Sequence, residues 1–329
     1  MEMERVFVTG ANGLIGSNLC HKLGELGYEV AGMVREKSNL LGLKGFNGKI
    51  VKGDILDESV LVRLMEGSDY VFHTAGLVSF DNRIREQLFR VNVDGVRSVV
   101  NAALKAGVKK LVHTSSVAAI GIPSSGEVAD ESVGYNRFKY GVAYGDSKHY
   151  GELEIGKGLE RGLDSVIVNP GSIMGQRDVY MHSGVLLRVL KGMKFVPYVS
   201  GGMCSVGADD VVDGEIAALK LGRTGERYVL GSENITFKEL FGKICTVVGA
   251  PQPSIHVPLT VARGAASFLE LLSGFTGKPP VLTRAHVVSA TLPHYFSSQK
   301  AINELGYRPR PIMEAIRKSY EWYVANGLM

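Results

Sequence analysis

A serine, a tyrosine and a lysine in this sequence could together move a proton at neutral pH. Tyr-x-x-x-Lys occurs twice, at Tyr135 to Lys139 and at Tyr144 to Lys148. With 13 tyrosines in the chain a chance match is expected, so the spacing needs support. Tyr144-Gly-Asp-Ser-Lys148 opens a helical stretch, in which residues four apart share a face. Tyr135 stands in the polar run Gly134-Tyr-Asn-Arg137, which reads as loop, so the second pair is the better candidate. A phenol of pKa ~10 is a poor acid–base group at neutral pH. An ammonium held beside it favours the phenolate. A hydroxyl is also wanted to orient a carbonyl. Ser116, at the end of a strand-like run in His113-Thr-Ser-Ser-Val-Ala-Ala-Ile-Gly121, is placed for that. Ser115 points to the opposite strand face, and the choice between the two stays open. The bland alternatives are strand-end capping for the serines and a surface aromatic for the tyrosine.

The elements that must position these groups follow from periodicity. Strand-like runs are Arg5–Thr9, Glu29–Val34, Gly48–Val51, Tyr70–Thr74, Lys110–Thr114 and Ser165–Asn169. Helical patterns lie between them at Leu14–Leu26, Glu58–Glu66, Ile84–Ala106 and Tyr144–Arg161. Several runs are apolar on both parities, as parallel strands buried on both faces are. Alternating β and α units predict an α/β, doubly wound parallel sheet of the Rossmann type. After Asn169 the rhythm breaks. A strand-like Arg227–Leu230 is followed by helical stretches at Phe237–Val248, Val261–Leu272 and Ile312–Val324. Prolines 251, 253, 258, 279, 280, 293, 309 and 311 punctuate this half. It reads as a smaller, mainly helical C-terminal substrate domain over the strands' carboxyl ends. The expected division is residues 1–172 for the Rossmann domain and 173–329 for the substrate domain, with some segments returning to the sheet.

A glycine-rich loop sits where such a fold binds a dinucleotide. Gly10, Asn12, Gly13, Leu14, Ile15 and Gly16 follow the first strand and open the first helix. Gly10 allows the tight turn, Gly13 lets backbone approach a pyrophosphate, and Gly16 permits close helix–sheet packing. The helix N-terminus offers free N–H groups to an anion. The spacing G-x-x-G-x-x-G departs from the commoner G-x-G-x-x-G, and the strand–helix context carries the assignment. At the end of the second strand, NAD-binding versions place an acidic residue on the ribose 2′-hydroxyl. Here Val34 takes that place and Arg35 follows. An Arg fork can pair a 2′-phosphate, so NADP(H) is the expected cofactor. The alternative is a solvated Arg at a strand end. Asp54, next to Ile55 after the third strand, could accept from the adenine amino group or cap the helix beginning near Asp57.

Composition narrows the class. The 329 residues are 45% hydrophobic and 21% charged, with a formal net charge of +4 and no Lys/Arg-rich run. That excludes the footprint of a nucleic-acid binder. No apolar stretch approaches the ~18–20 residues of a membrane span, and no signal-peptide pattern opens the chain, so a cytoplasmic protein is expected. Cys20, Cys204 and Cys245 are scattered without zinc spacing and read as free thiols. No metal site is expected.

Taken in order, these motifs resemble the extended short-chain dehydrogenase/reductase family. They are TGANGLIG at 9–16, GDILD at 53–57, HTAG at 73–76, VNVDG at 91–95, HTSSVAAIG at 113–121, YGDSK at 144–148 and NPGSIMG at 169–175. GERYVLGSENITFKEL at 225–240 and KAINELGYRPR at 300–310 extend the likeness over nearly the whole chain. Within the family the chain is most similar to dihydroflavonol-4-reductase-like and hopanoid-associated sugar epimerase-like members. The resemblance implies catalytic Ser116, Tyr144 and Lys148, with Tyr144 and Lys148 also touching the cofactor. It implies further cofactor contacts from Thr74, Ala75 and Gly76, and from Pro170, Gly171 and Ile173 near the nicotinamide. It implies that Asn92 holds neighbouring strands together, and that two chains pair as a homodimer through helices 84–106 and 144–161. His73 and His113 read as core histidines with satisfied nitrogens. Many sugar-nucleotide members carry a Tyr where Ile120 stands, and dehydratases carry an Asp-Glu pair where Val117 and Ala118 follow Ser116. A dehydratase is therefore not expected.

Three functional readings remain. The first is NADPH-dependent reduction of a carbonyl, or oxidation of an alcohol, in a small-molecule substrate. The second is a nucleotide-sugar epimerase with tightly bound NAD(P), and the third a non-catalytic NADP-binding scaffold. A diphosphate calls for Arg or Lys forks at the pocket rim. Gly201-Gly-Met-Cys-Ser-Val206 offers none, unless Arg177 or Arg188 supplies the charge. Phe195-Val-Pro-Tyr-Val199 and Phe268-Leu-Glu-Leu-Leu272 read as apolar pocket walls, or as packing of the small domain.

Overall fold

The computed structural model describes residues 3–123, 128–276, 283–291 and 294–329. Prolines 279, 280 and 293 lie outside them. The first half alternates strand and helix: β1 (Arg5–Thr9), α1 (Leu14–Glu25), β2 (Glu29–Val34), β3 (Lys49–Lys52), α2 (Glu58–Met65) and β4 (Tyr70–His73). Then come α3 (Arg85–Phe89), α4 (Gly95–Ala106), β5 (Lys110–Thr114), α5 (Ala143–Glu160) and β6 (Ser165–Pro170). The second half runs β7 (Ser172–Met174), α6 (Gly184–Lys191), β8 (Pro197–Tyr198), β9 (Gly202–Gly207), α7 (Ala208–Leu221) and β10 (Arg227–Leu230). It continues with β11 (Glu233–Thr236), α8 (Phe237–Val248), β12 (Ile255–His256), α9 (Leu259–Thr276), α10 (Arg284–Thr291), α11 (Gln299–Leu305) and α12 (Ile312–Ala325).

Seven strands form one sheet in the order β10-β6-β5-β4-β1-β2-β3, and every pairing is parallel. Residues such as Phe7, Val8, Phe72, Leu111, Val112, Val166 and Val168 are buried on alternate faces. That explains the unbroken apolar runs, because helices cover both sides of a parallel sheet. On one side Leu19 and Leu23 of α1 pack with Val211 and Ile216 of α7 and Leu305 of α11. On the other, Leu61 and Met65 of α2 meet Val99 and Val100 of α4 and Ile155 of α5. Each such side chain contributes ~1.5–3 kcal/mol when fully buried.

Two expectations change. The 84–106 helix is interrupted by a π-helical turn at Arg90–Asp94. The strand–helix rhythm does not stop at Asn169: β6, α7 and β10 continue it, with β7 to β9 inserted between. Glu215 and Asp210, buried on α7, blur the apolar pattern that would have announced that helix. The C-terminal part is mainly helical but also carries a three-stranded sheet, β11-β9-β7, and the pair β12-β8. Its own core joins Leu187 and Leu190 to Leu240, Ile244, Ile316 and Tyr323. This part faces the carboxyl ends of β1, β4, β5 and β6, and a cleft of about 1020 Å³ lies along the join.

Candidate active site

One end of the cleft is built by backbone. β1 is followed by Gly10, whose φ of +68° is left-handed and whose added Cβ would lie 2.7 Å from Ala75 Cα. Gly13 N–H donates to Gly10 O at 2.9 Å and closes the turn. A Cβ on Gly16 would run into the Gly10 carbonyl oxygen, so only glycine lets α1 approach this closely. No side chain caps α1, which leaves its first N–H groups for an anion. Gly10, Asn12, Gly13, Leu14, Ile15 and Gly16 all border the cleft, as do Arg35, Asp54, Ile55, Thr74, Ala75, Gly76, Gly171 and Ile173. This cradle fits a dinucleotide. Pro170 does not border it; its ring is buried at the end of β6.

Side chains steady the same end. Thr74 Oγ1 donates to Thr9 O at 2.8 Å, tying β4 to β1. Asn12 donates to the Tyr180 hydroxyl at 2.6 Å, a contact from the second half that the sequence did not announce. Arg35 is exposed just past Val34, which is buried. Asp54 Oδ1 accepts from Leu56 N–H at 3.0 Å, whereas Asp57 caps α2 through Val60 N–H at 3.1 Å. Asn92, in the π-helical turn, holds Leu77 through both backbone groups at 2.8 and 2.9 Å and donates to Ser147 at 2.9 Å. It thus ties the β4 loop to α5 rather than strand to strand.

At the middle of the cleft stand Ser116, Tyr144 and Lys148. The Ser116 hydroxyl reaches the Tyr144 phenol. Burial pushes that phenol up and the serine works against the rise. Ser116 Oγ also accepts from Ala118 N–H at 3.2 Å, so capping and cleft-facing roles coexist. Ser115 borders the cleft as well but is buried, and among the described residues its hydroxyl has no hydrogen-bond partner. Lys148, one turn beyond Tyr144 on α5, donates to Thr114 O at 2.9 Å. A methyl on Gly76 would lie 3.3 Å from Lys148 Nζ. Burial pushes the lysine down to about 8, opposed by the Glu152 and Glu215 carboxylates. The other pair is not assembled. Tyr135 donates to Asp146 at 2.7 Å and stacks on His149, while Lys139 lies over the Tyr140 ring. Burial and the Asp146 carboxylate hold the Tyr135 phenol well above its usual range.

Beneath this layer lies a buried polar chain that sequence reasoning missed in part. Thr114 Oγ1 donates to Glu215 at 2.6 Å, and burial pushes Glu215 up to about 7 against the pull of Thr114 and Lys148. His73 and His113 stack at 5.2 Å and are core residues, with the Thr9 hydroxyl 2.7 Å from His73 Nδ1. Their remaining ring nitrogens lack partners, contrary to expectation. Burial, then the Lys148 charge, drives His73 down to about 3; burial, then the charges of His73 and Lys148, lowers His113 as well. Both rings are thereby kept neutral. Cys20, Cys204 and Cys245 are unpaired and buried.

The far end of the cleft is apolar, with Leu186, Val199, Met203, Phe237, Leu240 and Phe241 on its wall. Of the two expected walls, only Val199 contributes. Phe195 is 70% exposed, and Phe268 and Leu271 are 60% and 62% exposed because α9 turns Ala262 and Ala266 inward and these larger residues out. Arg177 and Arg188 do not reach the cleft and donate to the Gly42 and Leu328 carbonyls. Arg137, which no motif singled out, borders the cleft, as does Arg90.

Comparison with known proteins gives the same picture. The model of the NAD dependent epimerase/dehydratase family matches residues 6–231. A Synechocystis sp. protein, provisionally named dihydroflavonol 4-reductase, is 34% identical over 98% of this chain and 95% of its own. Sterol demethylase protein B of Methylococcus capsulatus is 30% identical over 98% of this chain and 99% of its own. The crystal structure of gox2253 superposes with a TM-score of 0.85 at 33% identity, covering 99% of both chains.

Proposed function

The chain belongs to the NAD dependent epimerase/dehydratase family, and on that premise we propose that it is an NADPH-dependent reductase of a carbonyl compound, or in reverse an alcohol dehydrogenase. The observation that carries this reading is the apolar wall facing Tyr144, formed by Leu186, Val199, Met203, Phe237, Leu240 and Phe241. A wall of that kind suits an apolar substrate. It offers no pair of cations for a nucleotide diphosphate. The two relatives are named for a dihydroflavonol and a sterol, not for a nucleotide-sugar.

In this reading residues 1–172 hold the cofactor. Gly10, Gly13 and Gly16 take the pyrophosphate, with Asn12, Leu14 and Ile15 along its edge, and Arg35 takes the 2′-phosphate. Asp54 and Ile55 border the adenine, Thr74, Ala75 and Gly76 the ribose, and Gly171 and Ile173 the nicotinamide. Residues 173–329 mainly bind substrate. Bound NADPH supplies the hydride. Tyr144 donates its phenolic proton to the substrate oxygen, and Ser116 holds that oxygen by a hydrogen bond. Lys148, anchored on Thr114 O, turns its remaining N–H groups toward Gly76 and the ribose, and its charge favours the phenolate. A phenol raised by burial needs that charge to work near neutral pH. We further take the protein to be a cytoplasmic homodimer. α5 leaves Tyr150 and Leu153 40% and 47% exposed, a face a second copy could cover. Among the described residues no helix is long and apolar enough to cross a membrane.

The test is a spectrophotometric screen of NADPH oxidation with apolar ketones and aldehydes. Stoichiometric oxidation with one of them is the expected result. Protein that retains oxidised cofactor through purification and interconverts a nucleotide-sugar, with no net change in NADPH, would establish the epimerase alternative instead.

A further inference from the structure

Arg137 is 5% exposed, yet it borders the substrate end of the cleft. Its Nε donates to Ile120 O at 2.6 Å, and one terminal nitrogen lies 3.5 Å from His294 Nδ1. The other terminal nitrogen is buried and, among the described residues, has no hydrogen-bond partner. Among the described residues no carboxylate pairs with the guanidinium. Its neighbours are the rings of Phe296, 5.7 Å away, and of Tyr135 and Tyr140. A buried charge without a counter-charge is costly, and arginine cannot relieve the cost by giving up its proton. Burial pushes it down only to about 10, with the two tyrosines opposing, so it stays charged at neutral pH. Some buried ionic groups meet a counter-charge, as Glu152 does Arg227 at 3.2 Å and Asp210 does Arg310. The buried carboxylates Glu215 and Asp178 are held by hydroxyls instead, and a carboxylate can shed its charge by taking up a proton. Arg137 has neither recourse, and it faces the cleft.

We propose that the substrate is an apolar monoacid whose carboxylate sits on Arg137 while its carbonyl or hydroxyl meets Tyr144. This deepens, and rests on, the reading of the cleft as a site for an apolar substrate. The free amino group supplies one charge-assisted hydrogen bond, and the guanidinium one compensating charge. A single carboxylate matches that supply; a diphosphate exceeds it. The surrounding wall of Leu186, Val199, Phe237 and Phe241 then takes the hydrocarbon. The missing counter-ion thus arrives with the ligand, which also discriminates against the neutral analogue, since that leaves the guanidinium unpaired.

The test is calorimetric and uses the full chain saturated with NADPH. Decanoate is compared with decanamide, a neutral probe of equal length, and with UDP as a diphosphate. The expected result is a preference for decanoate over decanamide of about tenfold or more. Arg137→Met abolishes that preference and leaves NADPH binding intact. Arg137→Gln, which can still donate to Ile120 O, gives the same readout should the methionine variant fail to fold. Equal binding of decanoate and decanamide by the unmodified protein overturns the proposal. So does a preference that survives both substitutions, or tighter, Arg137-dependent binding of UDP. Because the readout is binding, failure of every ketone to oxidise NADPH ends the reductase reading without deciding this one.

Discussion

The two ends of the cleft are built by different means. At the cofactor end, backbone does the work: three glycines clear the space, and the polar side chains nearby are locked in partner pairs such as Thr74–Thr9 and Asn12–Tyr180. At the other end, side chains from four separate stretches, around residues 137, 186, 199 and 240, make an apolar wall around a cation that no carboxylate among the described residues neutralises. The first end is finished and tolerates little change. The second is left incomplete by one counter-charge. An end shaped by backbone and an end shaped by side chains are thus separated along one groove, with Ser116, Tyr144 and Lys148 at the boundary.

Substitutions at the boundary should have the largest effect. Tyr144→Phe is expected to lower kcat by about 10²–10⁴-fold while the Kd for NADPH stays the same, since the proton moves only in the chemical step. Lys148→Ala should damage both quantities. Steady-state kinetics alongside calorimetry separate the two, and an active Tyr144→Phe with a dead Tyr135→Phe would refute the choice of pair. Next comes the cofactor end. Gly16→Val drives a side chain into the Gly10 carbonyl oxygen. Loss of about 1–3 kcal/mol in denaturant unfolding is expected, together with loss of NADPH binding. A comparable substitution on the substrate wall, Val199→Ile, should leave NADPH binding untouched; if it does not, the two ends are not independent.

A further test concerns the buried carboxylate beneath the boundary. Glu215 is raised from 4.5 to about 7, chiefly by burial. In that window the native protein holds a proton the unfolded chain has released. Stability from this group is therefore complete below pH 4.5 and is lost as pH rises through about 7. Glu215→Gln removes the loss. Its advantage over the unmodified protein should grow across the window to at most about 3 kcal/mol, read from urea midpoints at several pH values. An advantage independent of pH would mean that Glu215 is not the titrating group. The smallest effect is expected at the exposed rim. Arg35→Ser should weaken NADPH binding by about tenfold and leave NADH unchanged. Equal or tighter binding of NADH by the unmodified protein would remove NADP(H) as the preferred cofactor.

How much could be seen beforehand follows the same division. β1, β2, β5 and β10 begin and end where periodicity puts them, because each is bracketed by glycine, turn residues or a helix start. α7 was hidden because Asp210 and Glu215 interrupt its apolar face; both are buried in contacts that exist only after folding, with Arg310 and with Thr114. The apolar segment 268–272 reads as a cleft wall or as packing of the small domain, yet Phe268, Leu271 and Leu272 stand exposed, since composition is the same whichever way α9 faces. Arg137 carried no spacing signal at all. Its neighbours Ile120, His294 and Phe296 lie far from it in sequence, and the absence of a counter-charge is a property of the assembled pocket.

The sequence by itself therefore determined the parallel sheet, the glycine turn after β1 and the placing of Tyr144 and Lys148 one turn apart on a helix, because each depends on residues within one strand–turn–helix unit. Only the tertiary structure decided that Ser116 rather than Ser115 meets Tyr144, that Lys148 leans on Thr114 above Glu215, and that Arg137 stands unpaired at the substrate end. Those three facts are distances between chain segments apart in sequence, and burial sets their energetic weight. Neither a distance across the fold nor a desolvation cost exists until the segments have packed.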